Sequence, residues 1–264
     1  MRRRRLDAEL VERKLARSRG EAHDLIDAGY VLVDGIAATK PSRQVDATAS
    51  IKVDREPSVH HVSRGAVKLA GALSDFRSLS VVGANALDAG ASTGGFTQVL
   101  LEGGVRHVVA VDVGYGQLAW PLRMDPRVTV KDRTNVRELR AAELPYAPTL
   151  LVGDLSFISL RTVLPALAAT MDPAGDMVLL VKPQFEAGRS KVGRRGVVRD
   201  PEDRAQAVRD VAASAWGLGL GAAGVTASRL PGPAGNVEFF LWLRRDEPQL
   251  RDDELTAAIG EGPA

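Results

Sequence analysis

The fold is decided by residues 87–97, Leu87-Asp88-Ala89-Gly90-Ala91-Ser92-Thr93-Gly94-Gly95-Phe96-Thr97. The run from Asn85 to Leu87 predicts a short buried strand that ends in the carboxylate of Asp88. The small residues after it predict a loop, followed by a helix that starts at Phe96. Because glycine has no Cβ, backbone N–H groups in such a loop can approach a ligand closely. Within alternating strands and helices, this loop predicts a nucleotide-type cofactor site at the carboxyl edge of a parallel sheet.

The spacing of the glycines narrows the choice of cofactor. The dinucleotide pattern G-x-G-x-x-G cannot be threaded through Gly90, Gly94 and Gly95. The acid before the first glycine and the pattern G-x-S-x-G-G-F instead resemble the first motif of S-adenosylmethionine-dependent methyltransferases. This resemblance implies cofactor contacts from seven residues, which are Asp88, Gly90, Ser92, Thr93, Gly94, Gly95 and Phe96. The alternative is an ordinary strand-to-helix turn that binds nothing.

Composition excludes several classes of protein. The 264 residues suit one large and one small domain, and a hydrophobic content of 45% is enough for a core. Cysteine is absent, which excludes disulfides, thiolate metal sites and cysteine nucleophiles, and the four histidines do not indicate a metal site. No window approaches the roughly 18 apolar residues of a membrane span. Acids follow the N-terminal arginines where a signal peptide needs an apolar core. We therefore expect a soluble cytoplasmic protein without a metal.

The charge is unevenly distributed. The net charge is only +2, yet residues 1–20 hold eight basic residues against three acids. The segment 186–199 holds five basic residues against one acid. Two local basic patches on a protein whose overall charge is nearly neutral indicate specific contacts with phosphate groups. They do not indicate a protein that binds anions through a high overall positive charge. Because the second patch is rich in glycine, we expect it to be a mobile loop that becomes ordered on RNA.

Residues 1–54 predict a small α+β domain with two short helices, a strand ending in an Asp34-Gly35 hairpin turn, and a further strand at Ile51–Val53. Its pattern resembles the S4-like RNA-binding fold, first recognised in a small-subunit ribosomal protein. The resemblance implies RNA contacts from six residues, which are Arg5, Arg17, Arg19, His23, Lys40 and Arg43. The alternative is that these are solvated surface charges. The polar stretch 55–62 is expected to be a linker.

From residue 63 to 245 the pattern predicts a doubly wound, Rossmann-like α/β domain, and residues 246–264 a polar tail that adds nothing to the core. Asp88, Asp112 and Asp154 fall at the carboxyl ends of predicted strands, where ligands bind. Asp112, with Val113 beside it, is expected to accept hydrogen bonds from a ribose diol. Asp132 is expected to form a wall for adenine, with a solvated loop acid as the alternative.

The residues after the predicted strands also limit the methyl acceptor. Transfer to an amino nitrogen usually requires [D/N]-P-P-[Y/F], but Asp154-Leu155-Ser156-Phe157 stands here. An oxygen nucleophile remains, and a ribose hydroxyl needs a base. Lys182 at a strand end could serve as that base with Lys68 as a second cation nearby. Asp154 could align Lys182, and Glu238 could orient Lys68. The alternative is two surface lysines paired with acids.

Lys68, Asp154, Lys182 and Glu238 match, in order and context, the K-D-K-E tetrad of FtsJ-like ribose 2′-O-methyltransferases. Together with the N-terminal domain, residues 4–244 resemble the TlyA family of bacterial ribosomal RNA methyltransferases, once called haemolysins. The matching motifs include Ser63-Arg64-Gly65-x-x-Lys68, Val181-Lys182-Pro183-Gln184-Phe185-Glu186 and Pro231-Gly232-Pro233-x-Gly235-Asn236-x-Glu238. The resemblance implies that the tetrad is catalytic and that S-adenosylmethionine is the cofactor. It also implies methylation of cytidine 2′-hydroxyls in the small ribosomal subunit, and for some members also in the large one.

One segment departs from the family. Mycobacterial members carry R-x-W-V before the S-R-G motif, whereas Val59-His60-His61-Val62 stands here. A linker that couples RNA binding to cofactor binding is therefore not implied.

Three other functions compete with methyl transfer. The intact tetrad argues against a non-catalytic RNA-binding assembly factor. The lack of an apolar span argues against a membrane-active haemolysin. The glycine spacing argues against a nicotinamide oxidoreductase. The sequence leaves open which nucleotide and subunit are modified, and the oligomeric state.

Overall fold

The N-terminal part of the chain folds as a small α+β unit. The computed structural model describes residues 3–27, 30–46, 48–53, 61–193 and 196–263. The elements of this unit are β1 (Arg4–Arg5), α1 (Leu6–Glu12), α2 (Arg19–Asp27), β2 (Val31–Val33), β3 (Ile36–Ala37), β4 (Gln44–Val45) and β5 (Ile51–Val53). β2 pairs with β3 and β5, and β1 pairs with β4, all antiparallel. Leu6, Leu10 and Ile26 are fully buried and close a core of its own between the helices and strands.

The C-terminal part is built on one seven-stranded sheet. Its elements are α3 (Arg64–Asp75), β6 (Asn85–Ala89), α4 (Gly95–Glu102), β7 (His107–Val111), α5 (Trp120–Arg123), β8 (Val128–Lys131), β9 (Leu150–Gly153), α6 (Leu160–Thr170), β10 (Asp176–Val181), α7 (Pro183–Glu186), α8 (Pro201–Trp216), β11 (Gly221–Ala227), β12 (Phe239–Arg244) and α9 (Asp252–Gly260). The strand order is β11-β12-β10-β9-β6-β7-β8. The five strands from β10 to β8 are parallel, and β12 runs antiparallel to both of its neighbours. The predicted doubly wound α/β fold is confirmed.

Helices cover both faces of this sheet and bury two apolar clusters. On one face, Leu69 of α3 and Leu100 of α4 are fully buried, and Phe96 packs on Phe240 with ring centroids 5.9 Å apart. On the other face, Leu164 of α6 and Val208 of α8 are fully buried. Because both faces are covered, the parallel strands read as continuous apolar runs, and their carboxyl ends are left as the open edge.

One expectation about the end of the chain is wrong. The prediction that residues 246–264 add nothing to the core fails because α9 packs Leu255 and Ala258 into the larger apolar cluster. Only these two side chains of α9 are fully buried, and its first turn is acidic, so the segment reads as polar. Separately, strand β11 was not predicted, because its Gly-Ala-Ala-Gly sequence lacks the alternation typical of a strand. It is held as an edge strand by β12.

The predicted linker, residues 55–62, lies outside the described residues except for His61 and Val62. Val62 N donates to Gln98 Oε1 on α4 at 2.8 Å, so the described end of this segment is attached to the larger unit.

Candidate active site

Two lysine–carboxylate pairs define the site. Lys68 on α3 and Glu238, which directly precedes β12, are 170 residues apart in sequence, yet Lys68 Nζ donates to Glu238 Oε2 at 2.5 Å. Both residues are buried. A buried ion pair retains its charges only when both partners are matched, so each of these residues fixes the other in place.

The second pair lies at the ends of neighbouring parallel strands. Asp154 follows β9 and Lys182 follows β10, and Asp154 Oδ1 is 2.5 Å from Lys182 Nζ. This contact is an ion pair without hydrogen-bond geometry. The hydrogen bond from Lys182 Nζ goes instead to Ser156 Oγ at 2.8 Å. Sequence reasoning missed Ser156 as a partner, although it stands two positions after Asp154 in the motif Asp154-Leu155-Ser156-Phe157.

Three of these four residues line one cleft of about 390 Å³. Its lining contains Lys68, Asp154 and Lys182, the glycine loop, the start of α3 and two prolines; the other lining residues are Ser63, Arg64, Gly65, Gly90, Ala91, Ser92, Thr93, Gly95, Phe96, Ser156, Pro231 and Pro233. Glu238 stays behind Lys68 and outside this lining. Gly232 passes so close to Glu238 that a Cβ there would meet its Oε1, so a glycine is required between the two prolines.

Two positions of the loop, Gly90 and Gly94, require glycine because other parts of the protein pack closely against them. Gly90 has φ +85°, and a Cβ there would lie 2.7 Å from the carbonyl oxygen of Asp154. Gly94 has φ +97°, and a Cβ there would lie 2.8 Å from Leu118 Cδ1 and would also meet Leu122. From the sequence alone, a larger residue at 94 is expected to obstruct the cofactor. In the structure, its side chain would meet Leu118 just before α5 and Leu122 within α5.

Asp88 lies beneath this loop, fully buried. Thr97 Oγ1 donates to its Oδ2 at 2.6 Å, and its Oδ1 has no hydrogen-bond partner. Burial raises the pKa of Asp88 to about 7, and the nearby charge of Asp154 adds to the rise, while the hydrogen bond from Thr97 opposes it. The group is thus a buried acid with an unused acceptor next to the cleft.

Asp112 and Asp132 stand at the ends of the next two strands but are engaged by the protein. Asp112 accepts hydrogen bonds from Ser92 N at 2.9 Å and Gly114 N at 2.7 Å, so it ties the glycine loop to the loop after β7. Arg123 Nη2 donates to Asp132 at 2.6 Å, and this hydrogen bond lowers the pKa of Asp132. These two acids, Gly94 and the exposed Val113 do not line the 390 Å³ cleft. Their contacts with a cofactor remain predictions.

The six residues expected to bind RNA lie on the small unit. Arg5, Arg19 and His23 converge on Asp7, a buried residue that sequence reasoning missed. Arg17 pairs instead with Glu21 at 2.9 Å. Lys40 and Arg43 are joined through the backbone, since Arg43 N donates to the carbonyl of Lys40 at 3.0 Å.

The basic segment 186–199 is attached to the protein at both of its described ends. Glu186 is buried and accepts hydrogen bonds from Ser159 Oγ at 2.5 Å and Leu160 N at 2.6 Å, which anchors it to the start of α6. Asn236 accepts from Val198 N at 2.9 Å and donates to the carbonyl of Gly196 at 2.8 Å. Residues 194 and 195 lie outside the described part. That the segment is mobile stays a prediction.

Within the described ranges, no cluster of three or more potential metal ligands occurs, and no helix is long and apolar enough to cross a membrane. The unpartnered oxygen of Asp88 and the ion-paired Asp154 place two acidic groups beside the glycine loop. An unpartnered acceptor next to a glycine loop fits a cofactor that brings a hydrogen-bond donor.

Comparison with known proteins agrees with this site. A model of the FtsJ-like methyltransferase family matches residues 61–245, and a model of the S4 domain matches residues 4–51. The "16S/23S rRNA (cytidine-2'-O)-methyltransferase TlyA" of Mycobacterium tuberculosis is 54% identical over 267 residues, which cover 99% of each chain. "Hemolysin A" of Brachyspira hyodysenteriae is 34% identical over 89% of this chain and 98% of its own. The solved structure "Putative hemolysin from Streptococcus thermophilus" has a TM-score of 0.76 and 36% identity, covering 99% of this chain and 96% of that one.

Proposed function

The chain belongs to the TlyA family of FtsJ-like methyltransferases, and from this premise we propose that it transfers a methyl group from S-adenosylmethionine to the 2′-hydroxyl of cytidines in ribosomal RNA. The observation that carries the proposal is the pair of lysine–carboxylate contacts around one cleft beside the glycine loop. The M. tuberculosis relative is named for this reaction on 16S and 23S rRNA. Its identity over the full length supports the same substrate class here.

The reaction requires a base and a stabilised oxygen. Bound S-adenosylmethionine supplies an electrophilic methyl group on a sulfonium. Held by the glycine loop, the cofactor would give this methyl group to the ribose oxygen and would keep the electron pair of its own sulfur–carbon bond. Nζ of Lys182 would accept the hydroxyl proton, and its position at the strand end is set by Asp154 and Ser156.

Lys68 and Glu238 have separate tasks in this proposal. Lys68 lines the cleft, where its positive charge stabilises the negative charge that develops on the ribose oxygen. Glu238 is buried behind it and acts as a positioning residue, since its carboxylate holds Lys68 Nζ at 2.5 Å. Asp88 and the loop from Gly90 to Phe96 would bind the cofactor, with Asp112 and Asp132 beside them.

The domain boundaries follow from the same proposal. Residues 1–54 would bind ribosomal RNA, residues 63–245 would carry out the reaction, and 55–62 would connect them. Helix α9, beyond residue 245, would be part of the catalytic domain, because Leu255 packs in its core.

The direct test is methyl transfer to purified ribosomal subunits. Small and large subunits from a bacterium lacking this activity are incubated with the full-length protein and S-adenosylmethionine carrying a labelled methyl group, and the RNA is mapped by mass spectrometry. The proposal predicts label on the ribose of a cytidine. Tight RNA binding without label would favour a non-catalytic assembly factor. Leakage of lipid vesicles at the same protein concentration, without label, would favour a membrane-active protein.

A further inference from the structure

A cluster of charges lies on the small unit, apart from the residues that line the catalytic cleft. The side chain of Asp7 is 0% exposed, and a single oxygen, Oδ2, is shared by three donors. Arg5 Nη2 lies at 2.9 Å, Arg19 Nη2 at 2.9 Å and His23 Nε2 at 3.0 Å. The three donors come from different places in the fold, since Arg5 lies on β1 and the other two on α2. Asp7 is therefore the centre that joins them.

The second oxygen of Asp7 fixes the carboxylate itself. Oδ1 accepts a hydrogen bond from Ala8 N at 2.8 Å and another from Arg5 Nε at 3.1 Å. Arg5 therefore binds both oxygens with two parallel N–H groups, the arrangement that gives an arginine a defined plane. These hydrogen bonds, led by the one from Arg5, hold the pKa of Asp7 well below its usual range. The carboxylate therefore stays charged well below the pH range in which an aspartate usually takes up a proton.

The side chains that donate to Asp7 still face solvent. The side chains of Arg5, Arg19 and His23 are 44%, 60% and 46% exposed, in contrast to the inaccessible carboxylate between them. Two guanidinium groups share one negative charge, so the cluster remains positive. Arg17 differs, because its ion pair is with Glu21 and not with Asp7.

We infer that Asp7, Arg5, Arg19 and His23 form one preorganised site for a phosphate group of RNA, in which Asp7 is the positioning residue. This inference rests on the proposed function, because RNA is the anion that this domain would meet. A guanidinium whose plane is already fixed loses little conformational freedom when it binds a phosphate through its remaining N–H groups. An acid at the centre of a basic surface then strengthens the binding of an anion, through geometry rather than charge.

Geometry and charge predict opposite effects for Asp7→Asn. Removing a negative charge should tighten RNA binding if only net charge matters. If Asp7 orients the cations, the same substitution should weaken binding about tenfold, as expected when a charge-assisted hydrogen bond is removed. The slope of log affinity against log salt should also become less steep, by about 0.7–0.9 for each phosphate that is no longer bound. Asp46→Asn is the matched control. It makes the same charge change beside Arg3 on the same unit, but the Asp46 side chain is 38% exposed, and its Oδ1 accepts from Arg3 Nε at 3.4 Å.

The experiment measures binding of the full-length protein to purified small ribosomal subunits without cofactor, over a series of salt concentrations. We expect Asp46→Asn to bind at least as tightly as the wild type and Asp7→Asn to bind more weakly. Equal or tighter binding by Asp7→Asn would overturn the inference. If circular dichroism shows that Asp7→Asn is unfolded, Arg19→Lys decides. It keeps the charge but lacks the planar fork, so weaker binding supports a preorganised site and unchanged binding refutes it.

A parallel methylation assay separates this inference from the proposed function. At saturating subunits, Asp7→Asn should keep the wild-type kcat and show a raised KM. A wild type that binds subunits but never methylates them would refute the proposed function and leave the phosphate site standing. A wild type that methylates, with Asp7→Asn behaving as Asp46→Asn does, would refute the phosphate site alone.

Discussion

Replacing Asp88 by asparagine should make the stability of the protein less dependent on pH. Burial raises the pKa of Asp88 to about 7 in the folded protein, whereas an aspartate in an unfolded chain has a pKa of about 3.9. Between these two values the folded state holds a proton that the unfolded state has released. This group therefore lowers the free energy of unfolding as the pH rises through that window, and its penalty is complete above about pH 7. Asparagine has no such proton.

The size of the effect follows from the two pKa values. From about pH 5.5 to pH 8.5, the buried carboxyl loses its proton in the folded state only, so the wild type should lose about 2 kcal/mol of stability relative to Asp88→Asn. The absolute stability of Asp88→Asn at one pH is less informative. Its new amide can place an N–H group at the position of Oδ1, where no partner is present, and this costs about 1–3 kcal/mol at every pH. The difference between two pH values removes that constant term.

The measurement is urea unfolding of the cofactor-free protein at several pH values, for the wild type, Asp88→Asn and Thr97→Val. The valine variant keeps the carboxyl but loses the hydrogen bond of 2.6 Å to its Oδ2. It should therefore keep the pH dependence, with the midpoint shifted upward, because that bond lowers the pKa of Asp88. Parallel stability curves for the wild type and Asp88→Asn would refute the reasoning, since they would show that Asp88 titrates alike in both states.

Four further predictions concern the reaction and the fold. Lys182→Arg keeps the charge but cannot accept a proton, so its methylation rate should fall as far as that of Lys182→Ala, by about 10²–10⁴-fold. A turnover near that of the wild type would show that Lys182 has only an electrostatic role. Leu255→Ala should cost about 2–5 kcal/mol in urea unfolding because Leu255 is fully buried, while Thr256→Ala on the exposed side of α9 should cost far less; equal costs would mean that α9 does not pack as described. Removing residues 1–60 should preserve cofactor binding in calorimetry but lower kcat/KM on subunits, and an unchanged kcat/KM would show that the small domain does not bind the substrate. Amides of segment 186–199 should exchange hydrogen quickly in the free protein and slowly on the subunit, and strong protection in both states would contradict the idea of an RNA-ordered loop.

The sequence alone was sufficient for the α/β fold and for Lys68, Asp154 and Lys182 at the cleft, but not for Ser156 beside them. Continuous apolar runs that end in Asp88, Asp154 and Lys182 indicate parallel strands with polar residues at their carboxyl ends, and the structure places all three there. This inference works because burial on both faces and the location of ligands at one edge are general properties of such sheets. The motif around Glu238 likewise placed its carboxylate near Lys68, and the contact is present.

The tertiary structure alone decided which partners these residues have. Asp7 looks in the sequence like one acid among arginines, and its burial depends on how β1 and α2 meet around it. The glycine at 94 is needed because Leu118 and Leu122 pack against it, which no local pattern reveals. Helix α9 looks like a polar tail in the sequence because only Leu255 and Ala258 contribute to the core. Their burial depends on packing against residues that are distant in sequence. Periodicity and propensity report on neighbours along the chain, whereas burial and ion pairing are set by residues that are distant in sequence and adjacent only after folding.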